Sequence, residues 1–274
     1  MNYRHAFHAG NFADVVKHVA LVQILLHLRK KDTPFAVIDS HAGRGLYDLS
    51  STDARRTGEA QSGIERLRGL GGPEALTRYL TLVEQSGKNI YPGSPLIAAH
   101  LLRPQDRLVA VEKHPEGAAA LKQALAPFKK ANVKVSVEEA DGYARLAALL
   151  PPPERRGLAL IDPPFEAPDE FETAARAAKD ALRRFATAII LIWYPVKSPA
   201  AARAFQGEVL AGGAANLLAI ETAIDAPEAS LSKAGLLVLN PPHGFDTAMR
   251  EILGIIAPRL PGGSAGLEWL RGPA

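Results

Sequence analysis

Apolar runs of strand length alternate along this chain with segments of helical period. Residues 35–39 are apolar and partly β-branched, and they end in a polar turn. Residues 108–112, 133–137, 158–162 and 188–194 repeat the pattern. Runs of this kind suit strands buried on both faces. Helical spacing falls between them, at 13–28, 116–129, 143–150, 170–185 and 200–210. Strand–helix alternation predicts a mostly parallel, doubly wound α/β sheet. Two further strands are predicted at 216–224 and 236–240, joined by the short, turn-rich stretch 225–233. No crossover helix fits there, so this pair is expected to be antiparallel. The expectation is a Rossmann-like sheet of seven strands, mostly parallel, with an antiparallel last strand.

Residues 47–91 interrupt the alternation. They separate the first strand from the next by far more than one crossover. Helical stretches at 60–70 and 73–84 are split by Gly69, Gly71 and Gly72. The expected division is a main domain of residues 1–46 and 92–274 with a small helical insertion at 47–91. The triplet Pro151-Pro152-Pro153 reads as a stiff loop before a strand.

The richest chemistry lies in Asp162-Pro163-Pro164-Phe165, directly after the strand at 158–162. Ligands of open α/β sheets sit beyond the carboxyl ends of the strands. Two prolines keep the segment extended and carry no N–H, so its carbonyls are free to face a ligand. An exocyclic adenine amine is a poor nucleophile, because its lone pair is delocalised into the ring. The Asp162 carboxylate and the Pro163 carbonyl suit its two hydrogens, and Phe165 suits stacking on an extruded base. Taken alone, the tetrapeptide is equally a strand-to-loop turn with a capping aspartate. A second Pro-Pro pair, in Asn240-Pro241-Pro242-His243, is read as a structural turn.

A second motif, Asp39-Ser40-His41-Ala42-Gly43-Arg44-Gly45, follows the first strand. Gly43 and Gly45 allow a tight turn and close ligand approach. A dinucleotide fingerprint requires a third glycine where Asp48 stands. Glu112 ends the second strand, where a carboxylate can accept from both ribose hydroxyls. Asp141-Gly142 follows the third, where a carboxylate can take an adenine amine. Each acid alone is commonly a solvated loop residue, but the ordered set at consecutive strand ends is far more specific.

Composition sharpens this picture modestly. At 47% hydrophobic the 274 residues can bury a full core. There are no cysteines, which excludes disulfides, thiolate nucleophiles and cysteine zinc sites. A net charge of +3 favours an acidic partner weakly. His5 and His8 have metal-like spacing, but nothing completes a site, so no metal is expected. Tyr3, Arg4 and Lys17 make the N-terminus basic and aromatic, as an arm over a nucleic acid would be. No signal peptide is read at the N-terminus, and the longest apolar run, 186–196, is too short to span a bilayer. A cytoplasmic, monomeric protein is expected.

The segment from Tyr3 to His18 resembles the opening of the bacterial family that methylates one adenine of large-subunit (23S) ribosomal RNA at N6. So do Asp39-Ser40-His41-Ala42-Gly43, Tyr91-Pro92-Gly93-Ser94-Pro95-Leu96-Ile97-Ala98, Asp141-Gly142 and Trp193-Tyr194-Pro195. The likeness runs from Tyr3 to about Pro242. It implies a class I methyltransferase fold, with S-adenosylmethionine as cofactor. It implies free 23S rRNA, or an early assembly intermediate, as substrate. Asp162 matches the catalytic acid, and His18, His41, Ser94, Glu112, Asp141 and Gly142 match cofactor contacts. Lys17, beside His18, is expected to contact the methionine carboxylate. Tyr3 matches an RNA contact, and the insertion corresponds to a helical subdomain expected to face RNA. Where the family motif ends in tyrosine, this chain has Phe165, so no phenolic proton role is assigned.

Three rivals share parts of this pattern. A DNA adenine methyltransferase needs a target-recognition domain larger than the insertion. A nicotinamide-dependent oxidoreductase needs the missing glycine and does not explain Asp162-Pro163-Pro164-Phe165. A silent RNA-binding module does not need Asp162.

Overall fold

The computed structural model describes residues 8–227 and 230–273. The predicted strands form β1 (Ala36–Asp39), β4 (Arg107–Glu112), β5 (Lys134–Glu139), β6 (Gly157–Ile161), β7 (Ile189–Pro195), β8 (Leu217–Ala223) and β9 (Lys233–Leu239). They join a further strand, β10 (Ser264–Arg271), in the order β10-β8-β9-β7-β6-β1-β4-β5. The strands from β7 to β5 are parallel. β9 is antiparallel to both β7 and β8, as the short link requires. The sheet therefore has eight strands where seven are predicted. β10 pairs antiparallel with β8 at the edge, where Gly266 and outward charges hide the strand pattern.

Side chains alternate along each buried strand. Val37, Leu108, Leu160, Leu191 and Val238 face one apolar core. Ile38, Ala159, Ile161, Ile192 and Leu239 face the other. The first core is covered by α1 (Phe12–Arg29), α3 (Glu74–Gln85), α4 (Ser94–Leu101), α5 (Pro115–Lys130) and α9 (Phe245–Ile256). The second is covered by α6 (Gly142–Leu149), α7 (Glu170–Arg184) and α8 (Pro199–Ala211). Among the described residues no helix is long and apolar enough to cross a membrane.

The stretch 47–91 begins and ends within two short strands, β2 (Leu46–Asp48) and β3 (Ile90–Pro92), which pair with each other. It carries α2 (Thr52–Thr57) and α3, as well as two 3₁₀ turns, Glu59–Ser62 and Ile64–Leu67, where a single helix is predicted. The break falls at Gly63. A Cβ there would lie 2.2 Å from the Gly10 carbonyl oxygen. Ile64 N–H donates to the same oxygen (2.9 Å). The N-terminal segment presses on the insertion at this point, and a regular helix cannot pass.

Candidate active site

β1 lies between β4 and β6, and the chain leaves it first toward β4 and β5, later returning to build β6 and β7. At this reversal a doubly wound sheet opens a crevice along its carboxyl edge. Asp39 pairs in register with Leu160, so the loop after β1 and the loop after β6 flank the crevice.

Asp162 begins the β6 loop. Its Oδ2 accepts from Lys17 Nζ at 2.5 Å, and Lys17 also donates to Asp14 Oδ1 at 2.7 Å. The Lys17 and Asp14 side chains are almost completely buried, and that of Asp162 is 11% exposed. Burial pulls the Lys17 ammonium down, but the charges of Asp14 and Asp162 outweigh it, and its pKa ends above the ordinary value. Asp14 Oδ2 accepts Gly10 N–H (3.0 Å), which ties the N-terminal segment to the same cluster. Beyond Asp162 a cavity of about 440 Å³ opens, bordered by Lys17, Asp162, Pro164, Trp193 and Lys197.

The β1 loop supplies a second group of contacts. The Ser40 hydroxyl donates to the Leu160 carbonyl (2.8 Å). That uses its one proton, so at its 2.8 Å contact with His41 the ring Nδ1–H must be the donor. His41 Nε2 is thereby left as an acceptor. Burial lowers the His41 pKa to about 4, so the ring is neutral near pH 7. Its ring meets Tyr143 edge-on at 4.7 Å. Asp39 Oδ2 accepts from Ser94 Oγ (2.6 Å). Burial pushes the Asp39 carboxyl up to about 7, the Ser94 hydrogen bond opposing and the Asp162 charge adding.

Glu112 closes β4. It accepts Gly43 N–H (2.9 Å) on one oxygen and His114 N–H (2.7 Å) on the other. Each oxygen retains a second lone-pair direction. Gly43 has φ +64°, and a Cβ there would lie 2.2 Å from the Tyr47 hydroxyl. Asp141 caps α6 by accepting Ala144 N–H (3.1 Å), and it also contacts Lys113 (3.2 Å). Gly142 is pressed against the β1 loop, where a Cβ would lie 1.9 Å from the Ser40 carbonyl oxygen. His18 is buried on α1, its Nδ1 2.7 Å from the Tyr91 hydroxyl, which meets the Tyr79 hydroxyl at 2.9 Å.

The structure thus brings Asp162, His41, Gly43, Glu112, Asp141 and Gly142 to one sheet edge. Ser94 joins them through Asp39, and Lys17 through Asp162. Two of the three Lys17 ammonium hydrogens go to Asp14 and Asp162. Phe165 stands differently. It is 9% exposed, with a left-handed φ of +48°. Its ring packs against Phe171 (4.8 Å), Trp193 (5.7 Å) and Phe205 (6.5 Å). Tyr3 and Arg4 lie outside the described residues. Asn240 occupies the opposite edge, because β9 runs antiparallel to β7. Its amide donates to the Ala186 and Ala188 carbonyls (2.9 Å each). Asp14, Asp39 and Trp193 carry no individual role in the sequence pattern alone. The signals were the Asp14–Lys17 spacing of one helical turn and the strand-end position of Trp193.

The family model described as Ribosomal RNA large subunit methyltransferase D, RlmJ, matches residues 32–271. The chain is 40% identical over 282 residues to Ribosomal RNA large subunit methyltransferase J of Haemophilus influenzae, covering 98% of this chain and 99% of that protein. It is 38% identical over 280 residues to the Escherichia coli protein of the same name, with the same coverage. A crystal structure of a Legionella pneumophila protein superposes with a TM-score of 0.86 at 33% identity, covering 95% of this chain and 98% of that one. With a family match across most of its length, on a sheet whose crevice holds these carboxylates, the chain belongs to the RlmJ family of large-subunit ribosomal RNA methyltransferases.

Proposed function

We propose that this chain transfers the methyl group of S-adenosylmethionine to the N6 amine of one adenine in 23S ribosomal RNA. The observation that carries this reading is the placement of Asp162. It stands at the switch point of the sheet, fixed by Lys17, on the wall of a cavity of small-molecule size.

The donor set fits the cofactor. Glu112 has lone pairs left for a ribose diol, and Asp141 is part-exposed beside the loop. Gly43 and Gly142 let the loops after β1 and β5 pack tightly on Tyr47 and Ser40, which holds the backbone of the proposed cofactor site in place. His41 Nε2, His18 and Ser94 complete the proposed contacts. When bound, S-adenosylmethionine supplies a methyl already activated on a sulfonium.

The chain's own residues then do the positioning. Asp162 and the Pro163 carbonyl accept the two amine hydrogens and orient the nitrogen lone pair. Close alignment is the main requirement of in-line methyl transfer. The amine becomes acidic only as its new bond forms, so Asp162 need not be a strong base beforehand. Lys17 holds the carboxylate in one position. Phe165 packs behind the pocket wall against Trp193, Phe171 and Phe205. The N-terminal residues Tyr3 and Arg4, with the helical insertion, are assigned to the RNA. The substrate is taken to be free rRNA or an early assembly intermediate, met by a cytoplasmic monomer.

The test uses labelled S-adenosylmethionine with separate RNA and DNA pools, followed by nucleoside analysis. Label is expected in N6-methyladenosine from rRNA; label confined to DNA or to another nucleoside would refute the reading. Asp162→Ala is expected to lower turnover by about 10²- to 10⁴-fold while cofactor affinity stays within a few fold. Retained turnover would remove Asp162 from its role.

A further inference from the structure

Ile161 on β6 pairs with Ile192 on β7. The residues that follow are Asp162, the first beyond β6, and Trp193 on β7, so the two lie side by side where strand axes are about 4.8 Å apart. Ile190, Ile192 and Tyr194 point to the core under α7 and α8, and Leu191 points to the core under α1. By that alternation Trp193 faces the side of the sheet that carries Lys17 and Asp162. It is half-buried and borders the same cavity as Asp162 and Pro164. Its indole N–H has no hydrogen-bond partner among the described residues.

Phe165 does not border that cavity. Its ring lies behind, meeting Trp193 near-perpendicularly (66°) at 5.7 Å and held in turn by Phe171 and Phe205. Edge-to-face contacts of this kind fix a ring's plane. The result is a rigid aromatic wall beside the carboxylate, with Trp193 as its cavity-side member.

We infer that Trp193 supplies the aromatic surface against which the target purine lies, with Phe165 as its buttress. This inference rests on the reading that an adenine amine docks at Asp162. A purine exposes a broad π-face, and base–aromatic stacking is tolerant of base edges, so Trp193 provides affinity while Asp162 provides selection for an amine.

The chain has two tryptophans. Trp269 lies on β10, separated from β7 by β8 and β9. In a Trp269→Phe protein the tryptophan emission, excited selectively over the six tyrosines, therefore comes from Trp193 alone. Titration with adenosine 5′-monophosphate is expected to quench it saturably, with uridine 5′-monophosphate much weaker. No adenine-dependent change would overturn the inference. In parallel, Trp193→Leu is expected to lower kcat/KM on a 23S rRNA fragment by roughly 10-fold or more, through KM, with cofactor affinity unchanged. Trp193→Phe is expected to recover most of that loss. A Trp193→Leu protein that binds cofactor and methylates at the wild-type rate would also overturn it. If Trp193→Leu fails to fold, the fluorescence titration and Trp193→Phe still decide. Should the wild type methylate no adenine, the functional reading fails separately, and the titration still reports on Trp193.

Discussion

At the scale of single residues, the site is organised around a buried lysine. Lys17 lies between Asp14 and Asp162, so one cation serves a carboxylate on α1 and the carboxylate that opens the β6 loop. Removing one partner of a buried ion pair leaves an uncompensated charge, at a cost of about 3–5 kcal/mol. Lys17→Met is therefore expected to lower stability by roughly that amount, as read from denaturant unfolding. Adding Asp14→Asn should restore part of the stability, because one orphaned charge is removed. Methyl transfer should remain lost in both, since Asp162 has no anchor; activity in the double variant would show that Lys17 is only structural. The Asp162-Pro163-Pro164-Phe165 motif was legible from residue types and spacing. The inward turn of Phe165 was not, because a left-handed φ at an aromatic residue depends on the cluster that receives its ring.

At the scale of elements, the crevice depends on close approaches that only glycine allows. Gly142 lets α6 start against the β1 loop, and Gly63 lets the insertion seat on the N-terminal segment. Gly10 reciprocates, since a Cβ there would lie 2.9 Å from Ile64. The same junction is clamped by Glu59, which accepts from Asn11 Nδ2 (2.9 Å) and contacts His8 Nδ1 (2.8 Å). Gly63→Ala must displace the segment leading to Asp14 and Lys17. It is expected to raise KM for RNA and to cost about 1–3 kcal/mol of stability, with cofactor affinity nearly unchanged. Wild-type RNA kinetics would show that the junction plays no part in RNA binding. Amphipathic helices such as α5 and α7 were readable from their period, and α1, buried on nearly every side, from its length. α4 was not, because a short helix buried on almost every side shows no polar face. The insertion's 3₁₀ turns were hidden because Gly63 is dictated by a neighbour 53 residues away in sequence.

At the scale of the molecule, the crevice couples folding to pH through two groups of opposite sign. The folded state holds His41 at about 4 against an ordinary 6.5. Between these values the unfolded chain binds a proton that the folded chain refuses. The His41 contribution is thus complete above 6.5 and lost as pH falls toward 4. Asp39 is held at about 7 against an ordinary 3.8. Its contribution is complete below 3.8 and lost as pH rises toward 7. The two oppose each other across the acid range. In ligand-free protein, His41→Gln should leave the Asp39 slope exposed. Its Tm relative to wild type is expected to fall as pH rises from 4 to 6.5, and parallel curves would contradict the assignment. By itself, the sequence determined the alternating strands and helices, the antiparallel β8–β9 pair and the order of acidic residues at strand ends. These follow from local periodicity and from links too short to cross over. Only tertiary structure decided the β10 edge, the Lys17 bridge, the inward turn of Phe165 and the position of Trp193 beside Asp162. Each of these depends on which distant segments meet, and contacts between distant segments leave no period in the chain.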